Sequence, residues 1–533
     1  MKNTFKWLNI SQFTGAFNDN AFKMTAIIVL AKILGQDNLP QIVAICSVMF
    51  VVPFLLFSNA AGVLADRFSK RTIIIASKWL EIGLLITCIP VLFAGAAWPI
   101  YTLLFLLCTQ SALFGPAKRG IVPELVHEDE LSRANGFLTA ATYTAIILGT
   151  ALPALILGYL GLSPLIAVSI SGALAAIGTV ASYRMADVPA FGKKKNCSFW
   201  IIPDVVRATK NLKSDTWAKQ AVFGLVLFGA ITALFQQTLI LYGKEALGLT
   251  VEKAPMLFPL AAIGIGLGAL LTGRMSKHSI EVGLIPVGAL GVMISAIGLS
   301  LAAHPIVIGI WIVLLGMGCG MYLVPINAFL QQRIPAERRG EVFGAAGFLS
   351  FSAMVASSGL FFVMTQKMKI DARGCVFITG LIAAVPAVLA CIRLPGFFTR
   401  FWLIRLVKRL YKIRFQGLEN LPRKGGALLI CNHTAYADPL LLQAATGRPV
   451  RFVMSRDVLK TWKWAYPFFK LTDCIPIHTS DGPRALAKSL KEARQAMEAG
   501  AIVGIFPEGT LTSNGNLMKF NRGFEKIAKN SGC

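Results

Sequence analysis

Gly62-Val63-Leu64-Ala65-Asp66-Arg67-Phe68-Ser69-Lys70-Arg71 lies between two apolar runs, 41–64 and 72–95, each long enough to cross a bilayer. Gly62 permits two helices to approach closely, and Asp66 can pair with basic groups or receive donors from a helix terminus. The cations Arg67, Lys70 and Arg71 mark the loop as one that stays on the cytosolic side of a membrane. Working outward, ten further span-length apolar runs precede Pro395: 14–35, 98–117, 136–160, 163–185, 220–243, 255–274, 281–302, 305–330, 342–366 and 373–394. The chain of 533 residues is 55% apolar and 15% charged, which excludes a soluble globular protein and a disordered one.

Loops after even-numbered runs hold the cations, among them Lys118, Arg119, Arg133, Arg184, Lys193, Lys194, Lys195, Arg333 and Arg339. Loops after odd-numbered runs hold few, such as Lys244 and Lys369. Both termini are therefore expected in the cytosol. Met1 to Asn9 is short and basic without a cleavage pattern, so no removable leader is expected. The longest loop, 185–219, divides the runs six and six. Val324-Pro325 and Ile334-Pro335 around the end of run ten echo Gly115-Pro116 and Val122-Pro123 around the end of run four, so two six-helix repeats are expected.

The Gly62 to Arg71 segment resembles the signature of the major facilitator superfamily. That resemblance implies a 12-span helical fold whose Gly62, Asp66, Arg67, Lys70 and Arg71 latch one gate of a rocking transporter; the corresponding second-half loop, Gly273-Arg274-Met275-Ser276-Lys277, is degenerate. Inside run one, Gly15-Ala16-Phe17-Asn18-Asp19-Asn20-Ala21-Phe22, together with Phe114-Gly115-Pro116-Ala117-Lys118, resembles the bacterial lysophospholipid transporter branch of that superfamily. Asp19, flanked by Asn18 and Asn20, is a carboxylate inside a span and a functional candidate on that ground. Three uses fit it: an ammonium headgroup, a coupling cation, or a partner on another helix.

After Pro395 the texture changes. This stretch carries 22 Lys and Arg against 9 Asp and Glu, half of the net charge of +26. An anionic leaflet is the expected partner, and no nucleic acid is. Residues 395–416 place Arg405, Lys408, Arg409 and Lys412 opposite Trp402, Leu406 and Leu410, an amphipathic connector for a membrane surface or for the next domain. From 417 to 533 short apolar strands (427–431, 451–454, 501–506) alternate with polar helices, of which Pro483 to Ala499 is the clearest, so an α/β domain is expected. The ten cysteines form no C-x-x-C pair, and neither a metal site nor a cofactor is expected.

Two blocks in this domain carry chemistry. In Asn432-His433-Thr434-Ala435-Tyr436-Ala437-Asp438 a turn leaving a strand can fold Asp438 onto the His433 ring, fixing its tautomer and leaving the other nitrogen as a general base. Phe506-Pro507-Glu508-Gly509-Thr510 follows another strand, and Lys519 and Arg522 come soon after. Together these blocks resemble the glycerolipid acyltransferase family. By that resemblance His433 deprotonates a glycerol hydroxyl that attacks an acyl thioester of acyl carrier protein or coenzyme A. Glu508, Gly509 and Thr510, helped by Lys519 and Arg522, hold the glycerophosphate.

Leu511 stands where many members have Arg, and His478 is a second polar candidate beside the Cys474 to Ile477 strand. The family pattern also implies a further strand after the last helix. The domain is therefore expected to be incomplete, with the 502–506 strand lacking a neighbour.

The joined whole resembles bacterial bifunctional 2-acylglycerophosphoethanolamine transporter/acyltransferase proteins. It implies an inner-membrane protein that brings lysophospholipid to the cytosolic leaflet and re-acylates it. The alternative is a transporter of another amphiphile with a vestigial or regulatory tail.

Overall fold

Every apolar run becomes a helix. The computed structural model describes residues 2–35, 38–127, 130–187, 215–249, 257–276, 280–422, 425–446, 448–461, 472–477 and 483–529. Lys193, Lys194, Lys195, Lys277 and His478 lie outside those residues. The chain divides into two units, Met1–Ala390 and Cys391–Cys533.

In the first unit twelve long helices stand among the described residues: α1 Lys2–Leu34, α2 Leu39–Arg67, α3 Lys70–Ala94, α4 Ala97–Leu125, α5 Leu131–Pro153, α6 Pro164–Tyr183, α7 Thr216–Glu245, α8 Leu257–Met275, α9 Leu284–Leu301, α10 Pro305–Arg333, α11 Arg339–Phe362 and α12 Ala372–Arg393. Among the described residues ten helices are long and apolar enough to cross a membrane, and α2, bent by 49° between Val48–Ser58 and Ala60–Arg67, makes an eleventh if its two parts are one span. The exception, α1, carries Asn9, Gln12, Asn18, Asp19, Asn20 and Lys23 along its length. Several helices outrun their apolar stretches. Most notably, α4 continues through Lys118 and Arg119 to Leu125, so those two cations belong to a helix and not to a loop.

The packing repeats with a shift of six helices. α1 packs on α5, α2 on α4 and α3 on α4; likewise α7 packs on α11, α8 on α10 and α9 on α10. Each half has its own apolar core, built around Leu30, Leu104 and Leu107 in the first and around Leu299, Ile308 and Ile312 in the second. Two seams join the halves, α2 on α11 and α5 on α8, and the six-helix shift exchanges one seam for the other. Both α5 and α11 end in a π-helical turn, Ala154–Tyr159 and Val363–Lys367.

The second unit opens with α13, Pro395–Leu410. Phe401 and Val407 are buried within the unit, while Trp402, Leu406 and Leu410 remain exposed beside Lys408 and Arg409. Then follow β1 Ala427–Ile430, α14 Asp438–Ala445, β2 Val450–Ser455, α15 Arg456–Thr461, β3 Ile475–Ile477, α16 Pro483–Glu498, β4 Ile502–Ile505 and α17 Gly523–Ala528. The four strands form one parallel sheet in the order β1-β4-β2-β3. α16 buries Leu490, Ala493 and Met497 against Ile475, Val503 and Ile527.

This order corrects one expectation. β4 does not lack a neighbour: it runs between β1, in register Ala427↔Ile502 to Ile430↔Ile505, and β2, in register Val450↔Ile502 to Phe452↔Gly504. Chain order suggested an edge, but the crossovers place the last strand in the middle, where all four of its residues are buried. A Cβ on Gly504 would stand 2.6 Å from the Phe452 ring, so the central strand needs glycine there to admit that ring.

Candidate functional site

In a parallel sheet, neighbouring strands deliver their C-terminal ends to the same edge, and this brings the two blocks of the second unit together. β1 ends at Ile430 and β4 at Ile505, which are paired, so the turns carrying His433 and Glu508 leave the sheet side by side. The Thr512 N–H donates to the His433 carbonyl at 3.1 Å, and the His433 ring stacks on Phe506, centroids 4.2 Å apart and planes 19° from parallel.

His433 Nδ1 lies 3.0 Å from Asp438 Oδ2. That oxygen also accepts from the N–H groups of Thr434 (2.7 Å) and Ala435 (2.8 Å), so one carboxylate closes the turn and holds the ring. Burial by itself would raise the Asp438 carboxyl. The Ala435 N–H, the His433 ring and the Thr434 N–H outweigh it and hold the group below the usual carboxylate range. Asp438 is thus ionised at neutral pH and accepts from Nδ1–H, which fixes the tautomer and leaves Nε2 with a lone pair for a proton.

Glu508 is 5% exposed, and both its carboxylate oxygens are buried without a hydrogen-bond partner. A buried carboxylate in that state awaits a donor. Gly509 has φ +76°, a conformation that favours glycine, and its N–H donates to the Phe506 carbonyl at 3.1 Å. The Thr510 amide and hydroxyl are among the donors this turn can offer an anion. Asn521 returns to the turn through its N–H on the Pro507 carbonyl (2.9 Å) and its side chain on the Glu508 carbonyl (3.4 Å). Lys519 and Arg522, both exposed, flank that anchor.

The first unit has a polar interior. Asn18 donates to Glu81 Oε1 (2.6 Å) and to the Ser171 carbonyl (3.0 Å). Glu81 pairs with Lys78 at 2.7 Å, each side chain 1% exposed, and Lys78 Nζ also donates to the Thr14 hydroxyl at 3.3 Å. Asp19 does not join this cluster; it accepts from the Ser111 hydroxyl of α4 at 2.6 Å. Asn20 donates to its own helix, at the Ala16 carbonyl. About two helical turns nearer the N-terminus, Gln12 receives Lys118 (3.4 Å) and Thr142 (2.8 Å).

At the even-loop end the seams are stitched by hydrogen bonds. Asp66 accepts from the N–H groups of Gly340 (2.7 Å) and Glu341 (2.8 Å) at the start of α11, the helix-terminus donors expected for it. The backbones touch beside it, since a Cβ on Gly62 would lie 2.3 Å from the Gly340 carbonyl oxygen. Lys70 pairs with Glu124 of α4 at 2.7 Å, and Arg71 donates to the Tyr183 carbonyl of α6 at 2.8 Å. Arg67 stays exposed, over the Phe68 ring. On the α5–α8 seam Gly273 stands where Asp66 would fall, its Cβ position 3.1 Å from the Arg133 Cα. Asn135 donates to Gln331, which donates to the Arg119 carbonyl at 3.0 Å.

Residues 8–358 match the Major Facilitator Superfamily. The chain belongs to that superfamily. Residues 412–533 match the family described as Acyltransferase, so an acyltransferase domain is joined to a multi-pass facilitator transporter. The chain is 29% identical over 361 residues to the lysophospholipid transporter LplT of Salmonella gallinarum, and 28% identical to that of Salmonella heidelberg. Each alignment covers 66% of this chain and 86% of the relative. Among solved structures, the human organic anion transporter MFSD10 aligns with TM-score 0.60 at 11% identity, over 73% of this chain and 99% of that one. The Escherichia coli fucose:proton symporter FucP aligns with TM-score 0.59 at 14% identity, over 73% and 98%. These structures share the facilitator fold.

Sequence reading missed Lys78 and Glu81 in this facilitator. Two opposite charges three apart inside a span-length apolar run are a signal that could have found them.

Proposed function

We infer that this protein imports lysophospholipid to the cytosolic leaflet of a bacterial inner membrane and re-acylates it there. One observation carries the reading: a facilitator whose relatives are named lysophospholipid transporters shares its chain with an acyltransferase in which His433 and Asp438 already form a pair 3.0 Å long. Residues 1–394 are the transporter, 395–416 a basic connector on the anionic leaflet, and 417–533 the acyltransferase, with both termini cytosolic.

In the acyltransferase His433 Nε2 removes the proton of the free glycerol hydroxyl. The oxygen attacks the carbonyl carbon of an acyl thioester of acyl carrier protein or coenzyme A, the C–S bond breaks, and the thiolate takes the proton from imidazolium. Glu508 accepts from the glycerol backbone, while Thr510, Lys519 and Arg522 face the phosphate. In the transporter Asp19 engages the cationic end of the headgroup, with Asn18 and Asn20 setting the helix around it. Asp66 and its basic neighbours Arg67, Lys70 and Arg71, with Gly62, form the cytosolic latch.

Proteoliposomes holding the full chain should take up lysophosphatidylethanolamine and, with acyl donor, convert it to the diacyl lipid. Asp19→Asn should stop uptake and leave acyl transfer intact. Uptake of unrelated amphiphiles but not of lysophosphatidylethanolamine would refute the substrate. Labelling of a cysteine at Lys194 from the outer face would refute the orientation.

A further inference from the structure

The chain beyond Thr510 leaves the sheet and comes back to it. Its outgoing limb is pinned where the Thr512 N–H meets the His433 carbonyl, and its returning limb where Asn521 meets Pro507 and Glu508. Between those pins residues 513–520 form a closed surface loop, turned by Asn514 Oδ1, which accepts from the Asn516 N–H and the Thr512 hydroxyl, both at 3.1 Å.

The crest of this loop is apolar. Leu517 is 69% exposed, Met518 39% and Phe520 37%. Phe520 meets Phe524 edge-on at 6.3 Å, and Phe524 packs on the Leu490 and Ile527 core, so the returning limb is anchored while Leu517 and Met518 project. Adjoining apolar side chains held out at a loop tip mark an interaction site, unlike single exposed ones.

Cations follow the crest in the chain: Lys519, Arg522, Lys526 and Lys529 are all exposed and come within thirteen residues of it, with Glu525 the one carboxylate among them. The same make-up recurs in this unit on α13, where exposed Trp402, Leu406 and Leu410 lie four apart beside Lys408 and Arg409. Aliphatic and aromatic groups framed by Lys and Arg suit an anionic bilayer surface, where the apolar groups enter the acyl region and the cations meet phosphates. The chain is already committed to a membrane by its apolar helices.

We propose that the 513–520 loop inserts Leu517 and Met518 into the anionic leaflet and holds the mouth of the His433 site at the lipid surface, where the free hydroxyl of a lysolipid lies. The acyl-transfer part of this statement rests on the function inferred above; the insertion does not. Because the loop is pinned to His433 and Pro507 by backbone hydrogen bonds and to the Glu508 carbonyl by the Asn521 side chain, inserting its crest positions the site without entering the chemistry. Transfer to a lysolipid embedded in a bilayer should depend on the crest, and transfer to a short-chain, monomeric lysolipid should not.

The test uses the full chain in nanodiscs containing phosphatidylglycerol. A nitrobenzoxadiazole probe on Leu517→Cys, corrected for the identically treated parent, should be quenched by lipids carrying doxyl groups on their acyl chains. A probe that stays in water overturns the proposal whether or not the enzyme is active. Quenching in a chain that shows no acyl transfer would uphold insertion and sink the acyltransferase reading alone.

In the activity arm, Leu517→Asp with Met518→Asp should lower transfer to embedded lysolipid about tenfold or more, and change transfer to the monomeric acceptor by no more than about twofold. Leu517→Phe with Met518→Leu should retain the parent rate on both. Equal losses on both acceptors, as expected if the loop docks a protein acyl donor, would overturn the proposal, and so would no loss on either.

Discussion

The two polar sites are built in opposite ways. In the acyltransferase unit His433 and Asp438 are five residues apart in one strand-turn-helix passage, and the sheet behind them is held by its own apolar contacts. In the transporter, Asn18 reaches Glu81 across 63 residues and Asp66 reaches Gly340 across 274, so each polar group is also a joint between helices. Lipid offers helices no hydrophobic reason to associate, and packing with internal hydrogen bonds must do so. Chemistry can therefore be removed from the first site with the fold left standing, whereas in the second the groups that would handle a substrate also hold the bundle together.

Substitutions can break that contrast. The largest effect should be that of His433→Ala, which removes the proposed base and should lower acyl transfer by at least about 10²-fold, while uptake and the melting temperature stay as in the parent. An equal fall in both activities would erase the distinction.

Next, Glu81→Gln leaves the buried Lys78 without its counter-charge. Breaking a buried pair in this way costs about 3–5 kcal/mol, visible as a large drop in the detergent melting temperature together with lost uptake. Lys78→Met with Glu81→Leu should recover most of the stability. A stable, merely inactive Glu81→Gln chain would show that the cluster is separable chemistry after all.

A smaller effect compares the seams. A methyl at Gly62 meets the Gly340 carbonyl oxygen at 2.3 Å, whereas one at Gly273 meets the Arg133 Cα at 3.1 Å. Overpacking of the first kind costs about 1–3 kcal/mol, so Gly62→Ala should slow uptake more than Gly273→Ala does.

The smallest effect concerns pH. The Asp438 carboxyl lies below its ordinary value when folded, so its contribution to stability is complete above the unfolded value and disappears as pH falls through the folded one. Asp438→Asn should melt below the parent at pH 7, and the gap should close below about pH 4. A gap that widens in acid would mean the carboxylate is not the stabilising form.

The contrast also explains what could be read from the chain. Twelve helices were legible because each carries its own apolar length, and the His433 pair because it closes within a single turn. Asp66 was legible as an acceptor of helix-terminus donors, but its donors at Gly340 and Glu341 were not, for they come from the other repeat. Lys118 and Arg119 looked like loop residues because the apolar run ends at 117; helical geometry has no reason to stop there, and α4 continues for eight residues more, to Leu125. The central place of β4 was hidden since strand order depends on crossovers that leave no local mark. Nothing in the Phe506 to Thr510 block announces that Gly509 donates within the turn or that Glu508 keeps both oxygens without a partner.

That central strand has a bearing on how the protein is made. β1 and β2 flank β4, so neither can complete its pairing until Ile505 has left the ribosome, 75 residues after Ile430. At about 5–20 residues per second that interval is roughly 4–15 s. During it the His433 turn can close on Asp438 while the hydrogen-bonding edge that will meet β4 stays open to any passing strand. The His433 end of the sheet is therefore finished in a single late event, when Phe506 arrives to stack on a histidine already in place. Slow codons ahead of Ile502 would lengthen the exposure of that edge and lower the yield of folded enzyme without altering one residue of it.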